Sequence, residues 1–288
     1  MTFIRHFLLA VQFFTRIPVT GRLAAWVGYS PDMLRSSAAH FAGVGWIVGL
    51  VAASVYAAVM VMTQGVFAPL VAACLSTIAT VMLTGGFHED GLADVADGLG
   101  GSYERARALE IMKDSRVGAF GAMALVLALV TKVSLLAAIG AQAVARVDGR
   151  VEGPHDLRSL WLVCVLVLCA HVVSRAAPML LVWALPHVGD TATSKSKPLA
   201  DKINTGALLA NFIWCFMLLA LVIPAQAAMV FIVGLLGSIG ALGWMYRWFK
   251  RRLQGFTGDC LGATQQACEL AFYGAAWVAL CNLPAVTR

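Results

Sequence analysis

Of the 288 residues, 60% are aliphatic, aromatic, Met or Cys and only 12% are charged, about half the charged fraction of an ordinary soluble domain. That composition excludes a water-soluble globule, a disordered chain and collagen, and the seven scattered cysteines, with no C-x-x-C pair, point to neither a disulfide scaffold nor structural zinc. The remaining reading is an all-α polytopic transmembrane bundle forming one integral membrane domain over residues 1–288, and its net charge of +6 is a membrane-surface feature.

Taken in chain order, Phe3, Phe7, Leu8, Val11 and Phe14 share one helical face. The spacing predicts an interfacial helix from Thr2 to Thr15, and without a small-residue cleavage site no removed leader is expected. Seven apolar segments follow, each near the roughly 20 residues that a crossing needs. They run Gly43 to Met62, Val66 to Thr84, Ala119 to Gly140, Ser159 to Leu185, Leu208 to Ile223, Gln226 to Tyr246 and Ala263 to Leu283, with short gaps near Gln64 and Pro224.

Lys and Arg stay preferentially on the cytoplasmic side. With the N-terminus inside, fifteen of the 21 fall there: Arg5, Arg16, Arg22 and Arg35; Arg105, Arg107, Lys113 and Arg116; Lys195, Lys197 and Lys202; Arg247, Lys250, Arg251 and Arg252. Four fall outside (Arg146, Arg150, Arg158 and Arg288), and Lys132 and Arg175 lie within spans. The expected setting is a bacterial inner membrane with its lipid as a partner. The basic residues lack the aromatic interleaving of a nucleic-acid site, and a homo-oligomer is compatible with the sequence.

The segment 87–118 holds seven of the fifteen acids and is expected to be a cytoplasmic catalytic loop. Its core reads Gly85-Gly86-Phe87-His88-Glu89-Asp90-Gly91-Leu92-Ala93-Asp94-Val95-Ala96-Asp97-Gly98. At roughly 100° per residue, Asp90, Asp94 and Asp97 form one narrow helical stripe. Like charges so arranged repel, and a hard divalent cation such as Mg²⁺ would relieve them while leaving positions open for a diphosphate. The plainer reading makes Asp90 an N-cap and the rest a solvated face; His88 and Glu89 are weaker metal candidates. Beyond it, Lys113, Asp114 and Arg116 supply phosphate-binding cations and a further carboxylate, or simple interfacial anchors.

Two further places carry charge. His171 and Arg175, four residues apart within the fourth span, suggest a functional pair because an intramembrane Arg is expensive, whereas Lys132 reads as structural. Lys250-Arg251-Arg252, followed by Thr257-Gly258-Asp259, resembles a phosphate-plus-metal cluster.

These blocks together resemble the adenosylcobinamide-GDP ribazoletransferase (cobalamin synthase) family. The string Gly85 to Gly98 and the string Leu109-Glu110-Ile111-Met112-Lys113-Asp114-Ser115-Arg116-Val117-Gly118 carry the likeness. Phe14-Thr15-Arg16-Ile17-Pro18-Val19, Ser174-Arg175, and Thr257 to Ala263 with Glu269 extend it along the chain. The resemblance implies a Mg²⁺-dependent membrane transferase whose substrates are adenosylcobinamide-GDP and α-ribazole or its 5′-phosphate, with GMP leaving. It puts Asp90, Asp94 and Asp97 on the metal, and Asp259 as a further ligand or hydroxyl-orienting base. Lys113, Arg116 and Arg175 would hold phosphates, with Lys250 and Asp114 near the substrate. Two stretches depart from the family pattern: His187 to Lys197, and Gln254-Gly255-Phe256 where Gly-Gly-Gln is usual. Rival readings are a CDP-alcohol phosphotransferase, whose D-G-x-x-A-R start is not matched at Asp94-Val95, and a transporter using Lys132 and Arg175.

Overall fold

The computed structural model describes residues 2–63, 65–145, 157–189, 203, 205–222 and 228–282. Gln64, Arg146, Arg150, Pro224, Leu283, Arg288 and the polar stretch Thr191 to Lys197 with Lys202 lie outside the described residues. The rest forms fourteen α-helices: α1 Thr2–Phe14, α2 Gly21–Val27, α3 Pro31–Ser37, α4 Phe41–Met62, α5 Ala68–Thr84, α6 Phe87–Gly101, α7 Arg105–Ile111, α8 Ala119–Ala145, α9 Leu157–Ala176, α10 Pro178–Ala184, α11 Thr205–Phe216, α12 Leu219–Val222, α13 Ala228–Arg252 and α14 Gly258–Asn282.

Five stretches are long and apolar enough to cross a membrane: Pro31–Met62, Ala119–Ala143, Leu157–Ala184, Thr205–Val222 and Ala228–Arg252. A sixth is reached only by counting α5 and α6 as one span, and that pair is bent by 88°. We read α5 as the crossing part of that pair, on its own apolar run, and α6 as leaving its line at the membrane surface. The last expected segment is helical in α14 but falls outside the apolar set, because Gln265, Gln266 and Glu269 are polar residues that α14 turns inward and buries. A polar helix shielded by its neighbours costs the bilayer nothing.

Between helices already in lipid, close packing rather than the hydrophobic effect drives association, so small residues mark the contacts. A Cβ at Gly45 of α4 would lie 2.6 Å from the His171 carbonyl oxygen of α9, and one at Gly237 of α13 would lie 2.5 Å from the Ala271 carbonyl oxygen of α14. Two apolar clusters result. One contains Tyr56, Leu136, Leu166 and Phe272; the other contains Phe14, Phe41, Leu99, Phe249 and Phe256. The second cluster joins α1, α4, α6, α13 and the start of α14, and so fixes the acidic helix. The N-terminal helix packs by Leu9, Ala10, Val11 and Phe14 and leaves Phe3 and Ile4 exposed, as an interfacial helix docked at its C-terminal half would.

Candidate active site

Gly85 and Gly86 turn the chain out of α5 with left-handed φ of +70° and +71°. Their N–H groups donate to the carbonyls of Met82 at 3.3 Å and Val81 at 3.0 Å, the bond pair that closes a helix on glycine. The Arg16 guanidinium lies where a Cβ of Gly85 would be, and the Arg16 N–H donates to Leu83 at 2.7 Å. The Arg16-Ile17-Pro18 block is thereby tied to the head of the acidic segment. That segment is a helix, α6, so Asp90, Asp94 and Asp97 do share a stripe.

Burial rises along the stripe: Asp90 is exposed, Asp94 half-buried and Asp97 only 7% exposed. The cause is what packs on each turn. At Gly91, α14 comes so close that a Cβ would lie 2.8 Å from the Asp259 carbonyl oxygen, and this brings Asp259 beside the stripe. Further on, α8 starts against Asp97, whose two oxygens accept the N–H groups of Gly118 at 2.7 Å and Gly121 at 2.8 Å. An anion capping a helix N-terminus satisfies orphan amides and complements the dipole. A Cβ at Gly118 or Gly121 would run into this carboxylate, which explains why both positions are glycine. Asp97, expected among the metal ligands, is thus engaged as a helix cap.

Asp94 sits at the centre of the charge. Burial, then Asp259, Asp90 and Asp97, push its pKa up to about 7. Burial also raises Asp259. Asp259 is held by Thr257, whose hydroxyl donates to Oδ2 at 3.2 Å and accepts the Cys260 N–H at 3.4 Å, capping α14. Among the described residues no three His, Cys, Asp or Glu side chains are grouped so that they could hold a metal ion.

The cations divide. Arg116 is 87% exposed and makes a two-pronged pair with Asp114, closest contact 2.6 Å; that bond holds the Asp114 carboxyl down at about 2. Asp114, expected near substrate, therefore orients Arg116, while Lys113 is exposed on the same turn. Lys250 lies over the Tyr246 ring at 5.6 Å on α13. Its neighbour Arg252 donates to the Leu99 and Ser102 carbonyls at the end of α6 and stacks on Tyr103 at 5.0 Å, placing a cation at that helix's negative end. Gln254 holds a left-handed φ of +56°, which costs a non-glycine residue about 1–2 kcal/mol.

Arg175 lies inside the bundle, beside His171. It is 2% exposed, and its guanidinium bonds the His171 carbonyl at 3.1 Å and the His171 ring at 3.0 Å. Around it runs a buried network. Lys132 of α8 pairs with Glu269 of α14 at 2.7 Å, with both side chains at most 3% exposed. Gln265 bonds Glu269 at 2.7 Å and Ser174 at 3.0 Å, and Gln266 bonds Gln265 and the Glu89 carboxylate, each at 3.0 Å. Lys132, read as structural from the sequence, is central here. The signal for it was present: intramembrane charges seek partners, and Gln265 and Glu269 are four apart on one helix face. Glu89 is bound into this network, and His88 is buried against Phe41, ring centroids 5.7 Å apart, with neither ring nitrogen bonded to a described residue.

Fold and site define a polytopic helical membrane protein with a carboxylate-lined site where a bent helix meets the start of its last helix. The chain belongs to the family described as Cobalamin-5-phosphate synthase, which matches residues 6–277. It is 62% identical to the adenosylcobinamide-GDP ribazoletransferase of Polaromonas naphthalenivorans, over 95% of this chain and 97% of that one. It is 58% identical to the protein of that name from Albidiferax ferrireducens, over 94% and 96%, and 42% identical to that from Shewanella amazonensis, over 93% and 92%. No solved structure matches.

Proposed function

We propose that this protein joins adenosylcobinamide-GDP to α-ribazole or its 5′-phosphate, giving adenosylcobalamin or its 5′-phosphate and GMP. A ribazole hydroxyl oxygen forms the new bond to the phosphorus on the aminopropanol arm. The bond from that phosphorus to the GMP oxygen breaks, GMP takes the electron pair, and the hydroxyl proton passes to a carboxylate. What supports this reading is Asp94, held between Asp90 on its own helix and Asp259 on α14, in a chain whose relatives carry that name over nearly their whole length.

Mg²⁺ suits the donor set, since it takes one or two protein carboxylates and completes its shell with water and substrate phosphates, needing no closed cage. Bound there, it would neutralise the carboxylates and the diphosphate oxygens. Asp90 and Asp94 are the ligands in this scheme, and Asp97 keeps α8 in register. Asp259 orients the hydroxyl and accepts its proton. Arg116, aimed by Asp114, and Lys113 steady the charge on departing GMP. Arg175 acts from below, through His171 and the network of Glu269. The basic residues favour a bacterial inner membrane with the acidic face toward the cytoplasm.

The test is GMP release by purified full-length protein given adenosylcobinamide-GDP and α-ribazole, with Mg²⁺ and then with EDTA. Mg²⁺-dependent GMP with a cobalamin product is expected. Turnover of CDP-alcohol substrates instead would replace this reading.

A further inference from the structure

Between α10 and α13 lies a groove with a volume of about 340 Å³, walled by Leu180, Leu181, Trp183, Ile239, Leu242 and Tyr246 and ended by Arg247. Both walls belong to stretches apolar enough to cross a membrane, so the groove opens toward hydrocarbon. Its two ends differ in chemistry. The sequence of α13 runs from Ile239 and Leu242 through Trp244, Tyr246 and Trp248 to Lys250-Arg251-Arg252. Apolar, then aromatic, then basic is the order of a bilayer read from acyl chain to interface to anionic headgroup.

The polar end is built for an anion. Arg247 is exposed, and its bond within its own helix, to the Gly243 carbonyl, is a long one at 3.4 Å. Tyr246, a wall of the groove, carries the Lys250 ammonium at 5.6 Å from its ring centroid, which brings a second cation to the same rim. The lining contains no carboxylate. A zwitterionic headgroup would bring its own ammonium against these two cations, whereas an anionic phosphodiester would not.

We propose that this groove is a specific site for one anionic phospholipid, with an acyl chain over Leu180, Ile239 and Leu242 and the phosphodiester on Arg247 beside Lys250. Its test does not depend on turnover, and neither Arg247 nor Gly243 is assigned to the transfer chemistry. Full-length protein in phosphatidylcholine nanodiscs is titrated with phosphatidylglycerol, and retained lipid is counted by native mass spectrometry. Saturable retention of one phosphatidylglycerol is expected. Arg247→Gln should weaken it about fivefold, the loss of one cation near a lipid headgroup.

Gly243→Leu should abolish it by filling the groove, since a Cβ there meets only the Arg247 guanidinium, at 3.4 Å. Both variants should melt like wild type before lipid is added. Equal retention of the two lipids, or unchanged retention in both variants, would overturn the proposal. So would a dimer that persists without lipid and is lost in Gly243→Leu, because a second copy would then be the occupant.

Discussion

Asp94 is where the electrostatic cost of the site concentrates. Its folded pKa of about 7 lies above the usual carboxylate value, so between roughly pH 4 and pH 7 the folded state holds a proton that the unfolded state has released. Stability must then fall as pH rises through that window. Metal-free protein should melt progressively lower from pH 5 to pH 8, and Asp94→Asn should flatten that slope and raise the melting point at pH 8. The same variant should lose on the order of a hundredfold or more in GMP release, since even groups behind a metal ligand cost about 10–100-fold. Wild-type turnover by Asp94→Asn would remove Asp94 from the metal. Asp97 behaves differently, as the cap of α8. Asp97→Ala should cost about 1–2 kcal/mol in unfolding, measured in detergent, and an unchanged melting point would show that the two amide bonds contribute nothing.

At the scale of elements, the site is a junction of helices held by a polar core. Pairing of Lys132 with Glu269 joins α8 to α14, and the bonds of Gln265 and Gln266 carry on to Ser174 of α9 and Glu89 of α6. Removing one member of a buried ion pair strands the other, typically at about 3–5 kcal/mol, while replacing both with apolar groups costs much less. Lys132→Met alone should therefore lower the melting point sharply, and Lys132→Met with Glu269→Leu should recover part of the loss. If the double variant is as unstable as the sum of its singles, the pair is not a coupled unit. Close backbone approach at Gly91 serves the same junction, because it lets Asp259 reach the stripe.

For the whole molecule, orientation follows from where the basic residues sit. The fifteen-to-four division of basic residues predicts that the turn carrying Glu104, exposed between α6 and α7, faces the cytoplasm. Glu104→Cys should resist a membrane-impermeant maleimide on intact spheroplasts and react after permeabilisation, scored against the same protein with its natural cysteines alone. Labelling from outside would invert the topology and put the acidic face on the other side.

Composition and periodicity, which act over a few neighbouring residues, determined by themselves that this chain is a helical membrane protein, and where most of its helices run. They also determined the acidic stripe, because positions 90, 94 and 97 share a face in any α-helix, and the motif strings carried the family. Only the tertiary structure decided what each carboxylate packs against. That Asp97 caps α8 depends on where a helix beginning some twenty residues later comes to rest, and that Asp259 joins Asp94 depends on contact across more than 160 residues. The buried ion pair is non-local in the same way: a charge inside a membrane announces its need for a partner in the sequence, but which partner answers is fixed only when α8, α9 and α14 pack together.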